Sequence, residues 1–208
     1  MIDLKNIKNI ILDLGGVILD LDFESSIDQF KKLGITDIVD LYQIPEHYPF
    51  FKQFEIGLIS PGQLREEIRK ATGNNISDDE INDAWNIISV GFTKESIETV
   101  LKLNRQFRLF LLSNTNAIHE VYYNNQLFEG HGIKNLTEIF EKVYYSHDLH
   151  MRKPDAEIFE FVLNDSKLIP EETLFVDDTL VHIETASSLG IKTYHLSPPQ
   201  RIEEIFSL

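Results

Sequence analysis

Cysteine is absent from all 208 residues. That excludes disulfides, thiolate metal sites and a cysteine nucleophile, and it is compatible with a reducing compartment. Basic residues are also scarce, with 19 Lys and Arg against 34 Asp and Glu and a formal net charge of -15. No run of Lys or Arg offers a basic patch, so nucleic acid and anionic membranes are set aside as main partners. No apolar stretch approaches the roughly 20 residues of a membrane span. The opening residues Met1 to Lys5 lack the charged-then-apolar pattern of a signal peptide, so the expected location is cytoplasmic. Internal repeats and low-complexity linkers are missing too.

What remains is a globular composition, 42% hydrophobic and 25% charged, long enough for one domain with an inserted subdomain. Asn9 to Leu14 is a short apolar run ended by Gly15-Gly16, which reads as a strand buried on both faces and entering a loop. Similar segments follow at Arg108–Leu112, Lys142–Tyr145, Thr173–Val176 and Ile191–His195, giving five candidate strands. Helical patterns lie between the later ones, at Ala156–Asn164 and at Val181–Leu189 before Gly190. Such alternation predicts an α/β fold, a Rossmann-like parallel sheet covered on both sides. The stretch 23–92 shows amphipathic segments and no convincing strand, with a capping-box pattern at Ser77-Asp78-Asp79-Glu80. We therefore expect residues 1–22 and 93–208 to form the core and 23–92 a helical insertion.

In a parallel sheet the polar residues just past the carboxyl ends of the strands converge on one crevice. Here these are Asp13, Ser113-Asn114, Ser146-His147-Asp148 and Asp177-Asp178. Asp13 precedes two glycines, whose backbone N–H groups are expected to face a ligand, which suits an anion-handling nucleophile; a turn-capping Asp is the bland alternative. Asp177 and Asp178 repel one another unless a hard cation neutralises them, and magnesium is the natural choice. A solvated turn is the competing reading. Ser113 and Asn114 supply donors suited to phosphate oxygens, and Lys153, before Pro154, a positive charge. Each of these is weak alone.

Taken together, Asp13-Leu14-Gly15-Gly16-Val17, Ser113-Asn114, Lys153 in Met151-Arg152-Lys153-Pro154, and Asp177-Asp178 resemble the four motifs of the haloacid dehalogenase-like hydrolase superfamily. The resemblance covers essentially the whole chain. It is strongest to the subgroup holding an α-D-glucose-1-phosphate phosphatase and the N-terminal phosphatase domain of soluble epoxide hydrolases. The resemblance implies a helical cap of the first class and a magnesium-dependent phosphatase acting on a small phosphate ester. Asp13 would form an aspartyl-phosphate, with Ser113 and Lys153 as further catalytic groups. Gly15, Gly16, Ser113, Asn114 and Lys153 would bind substrate. Asp13, the Gly15 carbonyl and Asp178 would hold Mg2+, with Asp177 nearby.

One position departs from the pattern. Phosphatases of that superfamily carry an acid/base Asp two residues after the nucleophile, where this chain has Gly15. General acid–base assistance is worth about 10² to 10⁴ in rate, so slow turnover and a preference for easily departing leaving groups are expected. Asp20, Asp22 and His147 are substitutes by proximity in sequence. A non-catalytic binder of a phosphorylated ligand or protein is the main alternative. A 2-haloacid dehalogenase, which needs no metal, fits the Asp177-Asp178 pair poorly, and a phosphomutase would need the missing Asp. Because the cap of such members selects the substrate, Trp85 and the aromatic group Tyr48, Phe50, Phe51 and Phe54 are candidates for substrate contact; a lone Trp on an amphipathic segment is more often core, while residues near Phe54 and Glu55 follow the expected mouth of the cap. His119 and His182 read as surface or packing residues, since neither has a second ligand at metal spacing.

Overall fold

The computed structural model describes residues 2–37 and 48–206. Five short apolar segments build one parallel sheet: β1 (Asn9–Leu12), β4 (Arg108–Ser113), β5 (Lys142–Tyr145), β6 (Thr173–Asp177) and β7 (Lys192–His195). Their order is β5-β4-β1-β6-β7, which puts the first strand of the chain at the centre of the sheet. The period-2 alternation of side chains splits each central strand between two cores. Ile10, Leu12, Leu109, Leu111, Leu174 and Val176 enter one cluster, and Ile11, Phe110, Leu112 and Phe175 the other. Helices α5 (Lys94–Asn104) and α6 (Ala117–His131) contribute to the first cluster, α8 (Ala156–Asp165) and α9 (Leu180–Ser188) to the second. Burial on both faces explains why these strands are apolar throughout rather than alternating.

Among the described residues, the insertion holds α1 (Phe23–Leu33), α2 (Pro49–Glu55), α3 (Pro61–Thr72) and α4 (Asp78–Asn86). Its helix boundaries follow local chemistry. Asp22 caps α1, and reciprocal capping boxes start α3 at Ser60/Gln63 and α4 at Ser77/Glu80. Gly34 and Gly73 end α1 and α3 in the left-handed region. The four helices share a core of their own, formed by Phe30, Phe51, Phe54, Leu64, Ile68 and Trp85 among others, which also takes in Ile118 from α6.

One expectation is corrected here. The stretch read as strand-free contains β3 (Ser89–Phe92), which pairs antiparallel with β2 (Leu19–Leu21). The register shifts between Asp20 and Leu21, and Gly91 takes a positive φ of 136°, so the ribbon lacks the alternation by which a strand is recognised. Its position matters, because β2 and β3 are the two connections through which the chain leaves the sheet and returns.

Candidate active site

Three neighbouring strand ends supply the centre of the site. Asp13 follows β1 and donates its N–H to the Val176 carbonyl of β6 at 2.9 Å. Asp177 ends β6, and Ser113 ends β4. From the segment between α7 (Ser146–Leu149) and α8, Lys153 reaches beneath them. Its ammonium lies 2.8 Å from Asp13 Oδ1 and 2.6 Å from Asp177 Oδ2. The Lys153 side chain is only 1% exposed, so the charge is paired in place of hydration.

Asn114 sets the position of that lysine. Its Nδ2 donates to the Lys153 carbonyl and its Oδ1 accepts the Lys153 N–H, both at 2.9 Å. These two bonds hold the Lys153 backbone, while Asn114 also lines the cavity, and its second Nδ2 hydrogen has no partner among the described residues. The Ser113 hydroxyl has no hydrogen-bond partner among the described residues and lines the cavity described below.

The two adjacent aspartates differ in environment. Asp177 is saturated by Lys153, by the Thr179 N–H at 2.8 Å to Oδ1, and by His182 Nδ1 at 3.0 Å. Burial alone would raise its carboxyl, but Lys153 and His182 outweigh burial and hold it well below the usual range. The Asp178 carboxyl, whose one hydrogen bond among the described residues is from the Thr179 hydroxyl at 3.0 Å, is raised by burial and by Asp177. Asp13 is pushed up to about 8, chiefly by burial, with Asp177 and Asp178 adding to the rise and Lys153 opposing it. Each of Asp13, Asp177 and Asp178 offers an oxygen within 4.8 Å of the others. Three carboxylates facing one ammonium leave an excess of negative charge that a hard divalent cation would balance, so the donor set fits magnesium. Asp13 and Asp178 retain the free oxygen capacity for it, whereas Asp177 is committed to protein donors.

The two glycines have different roles. Gly16 has φ +70°, and a Cβ there would fall 2.3 Å from Asp178 Oδ2. Its N–H is bonded to the Leu19 carbonyl at 2.9 Å, so the expectation that Gly16 donates to a ligand is corrected: it makes room for Asp178. The Gly15 N–H has no backbone partner among the described residues. A Cβ at Gly15 would meet Leu21 Cδ1 at 2.7 Å, so an apolar side chain already crowds the space of the missing carboxylate.

None of the substitutes suggested by sequence lines the cavity. Asp20 pairs with Arg201 at 2.9 Å, and Asp22 caps α1. His147 stacks on Tyr145 and contacts the Thr115 carbonyl and Glu120. His182, read from sequence as packing, is in contact with Asp177; the signal available was its position five residues after an acidic strand end, at the start of a helix.

Above these residues lies a cavity of about 670 Å³, walled by the sheet edge on one side and the helical insertion on the other. The insertion is docked by residues 55–57. Glu55 Oε1 lies 2.6 Å from Arg152 Nε, Ser146 Oγ donates to the Glu55 carbonyl at 2.7 Å, and His150 Nδ1 meets the Ile56 carbonyl at 2.8 Å. Gly57, at φ +68°, lies so close that a Cβ would come 2.0 Å from the His147 carbonyl oxygen. Trp85 lines the cavity while packed in the insertion's core, its indole N–H donating to Asn116 Oδ1 at 3.2 Å.

A Rossmann-like sheet with an acidic crevice at its carboxyl edge defines an α/β scaffold with a ligand site at the strand ends, and comparison gives the class. Residues 94–196 match the haloacid dehalogenase-like hydrolase family model. Over 192 residues the chain is 34% identical to D-ribitol-5-phosphate phosphatase of Bacteroides thetaiotaomicron, covering 90% of this chain and 91% of that protein. The crystal structure of a HAD family enzyme from B. thetaiotaomicron, in complex with magnesium and inorganic phosphate, aligns with TM-score 0.87 at 37% identity over 97% of this chain and 100% of the other. A HAD-like family hydrolase of Porphyromonas gingivalis aligns with TM-score 0.81 at 34% identity, covering 91% and 90%. The chain belongs to the haloacid dehalogenase-like hydrolase family.

Proposed function

We propose that this protein is a magnesium-dependent phosphatase acting on a small phosphorylated polyol or sugar, with Asp13 as the nucleophile. The observation that carries the proposal is the buried Lys153 ammonium bound to Asp13 and Asp177 in the lining of the cavity, with Asp178 beside them. The similarity to a D-ribitol-5-phosphate phosphatase, and to an enzyme crystallised with magnesium and phosphate, supports the same reading.

In this reading Asp13 attacks phosphorus, the ester oxygen leaves, and water then hydrolyses the aspartyl-phosphate. Lys153 neutralises phosphoryl oxygens as charge develops, and the Ser113 hydroxyl and the Gly15 N–H donate to them. Magnesium, held by Asp13, Asp178 and the Gly15 carbonyl, would offset the negative charge of nucleophile and phosphoryl group. Asp177 and Asn114 fix the lysine. The helical insertion serves as the cap that excludes water and selects the rest of the substrate. With Gly15 and Leu21 at the position of the usual acid, departure depends on the leaving group itself.

The test is phosphate release from p-nitrophenyl phosphate, D-ribitol 5-phosphate and α-D-glucose 1-phosphate, with and without magnesium, against Asp13→Asn. Magnesium-dependent release that is lost in the variant is the expected result. Tight binding of the esters with turnover equal to the variant's would favour the second reading, a ligand-binding member without catalysis, to which the Gly15/Leu21 pair lends weight.

A further inference from the structure

His119 stands in the first turn of α6, directly after the strand-end loop that carries Ser113 and Asn114, and its side chain lines the cavity. Its ring is fixed from two sides. It stacks on Trp85 with centroids 5.6 Å apart and planes 22° from parallel, and its Nδ1 lies 3.2 Å from Asn86 Oδ1. Burial pushes the imidazole down to about 3, so it is neutral at any working pH and neither attracts an anion nor supplies a proton. A neutral imidazole has one donor and one acceptor nitrogen. With the Asn86 carboxamide oriented so that its Oδ1 faces the ring, the assigned tautomer has the proton on Nδ1 and the lone pair on Nε2. No group among the described residues is bonded to Nε2.

The surroundings sharpen the point. Leu21, Phe51, Trp85 and Ile88 contribute apolar surface to the cavity, and the Oδ1 of neighbouring Asn116 is already occupied by three donors, the indole of Trp85 and the N–H groups of Ile118 and His119. In a cavity of mixed lining an oriented polar group helps set which ligand fits. A lone pair there repels a second carboxylate or phosphate and welcomes an O–H.

We propose that Nε2 of His119 accepts a hydrogen bond from a hydroxyl on the carbon chain of the bound phosphate ester, making His119 a specificity-determining residue that selects polyol or sugar phosphates over unfunctionalised ones. This rests on the proposed function only in placing the phosphate end of the ligand at Asp13.

The experiment compares D-ribitol 5-phosphate with n-pentyl phosphate, which has the same chain length without hydroxyls, in wild type, His119→Phe and His119→Gln. Phe keeps the stacking on Trp85 and removes the acceptor; Gln retains an acceptor. Expected is a rise in KM for D-ribitol 5-phosphate in His119→Phe that exceeds the rise for n-pentyl phosphate by about tenfold, partly reversed in His119→Gln. Calorimetric titration of both esters in an Asp13→Asn background reads the same discrimination without turnover. A differential loss of binding in a protein without activity would overturn the phosphatase reading and leave this inference standing. Equal changes for the two esters in His119→Phe, by either measurement, would overturn the role of His119 alone.

Discussion

The Lys153 ammonium is bound 2.8 Å from the Asp13 carboxylate, with both side chains almost wholly withdrawn from solvent. The proposed nucleophile is thus held by the group that also bridges to Asp177, and several consequences can be measured.

Lys153→Met keeps the volume and removes the charge. Breaking a buried pair by deleting one partner costs about 3–5 kcal/mol, so urea unfolding at pH 8 in EDTA should show a loss of that order. The loss should shrink at pH 5, where the abandoned carboxylates take up protons, and phosphate release should fall at least 10²-fold. Unchanged stability at pH 8 would show that the pair contributes nothing net.

Asp13 also gives the metal-free protein a pH signature. Its carboxyl moves from 3.8 to about 8 on folding, mainly through burial. Between those values the native state holds a proton that the unfolded chain has released, so folding stability declines as pH rises through this window. Thermal melting in EDTA should fall from pH 5 to 8 more steeply for wild type than for Asp13→Asn. Magnesium should restore more stability at pH 8 than at pH 5, because a cation binds the ionised carboxylate. Parallel curves for the two proteins would refute the assignment.

The absent acid can be reinstated only if its space is cleared. Gly15→Asp alone meets Leu21 and should gain little, whereas Gly15→Asp with Leu21→Ala should speed hydrolysis of n-pentyl phosphate by about 10². p-Nitrophenyl phosphate, whose leaving group needs little protonation, should respond far less. Equal gains on the two esters would mean that leaving-group protonation is not what limits the wild type.

Docking of the insertion should be sensitive to one methyl group. Gly57→Ala adds a Cβ against the His147 carbonyl at a positive φ, a conformation costing about 1–3 kcal/mol for other residues. We expect a several-fold higher KM for D-ribitol 5-phosphate and faster tryptic cleavage after Lys52, followed by gel electrophoresis. Wild-type KM and cleavage rate would show that this contact does not hold the cap in place.

The sheet was readable because burial on both faces writes itself into sequence as unbroken apolar runs, as at Ile10–Leu12 and Leu109–Leu112. In the insertion, amphipathic spacing marked α1, α3 and α4, and the Ser77/Glu80 box lies where its spacing put it, whereas the short α2 left no such sign. The β2/β3 ribbon was hidden, since strands of three and four residues with a register shift leave no periodic trace. In the site, strand-end residues were readable by position, but the partition of tasks was not. That Asp177 is saturated while Asp178 is open, that Asn114 bonds the Lys153 backbone, and that His182 touches Asp177 are facts of tertiary approach. A search for histidines at metal-ligand spacing could not find a histidine that serves a carboxylate.

The central place of β1 also bears on how the chain comes into being. Both of its neighbours lie far downstream, β4 beginning at Arg108 and β6 at Thr173. At a synthesis rate of about 5–20 residues per second, the apolar segment from Asn9 to Leu12 leaves the ribosome several seconds before any strand exists to pair with it. The insertion helices, with contacts close in sequence, can form in that interval. The segment that ends at Asp13 is therefore the one most in need of a chaperone's shelter during translation, and the sheet can close only late in synthesis.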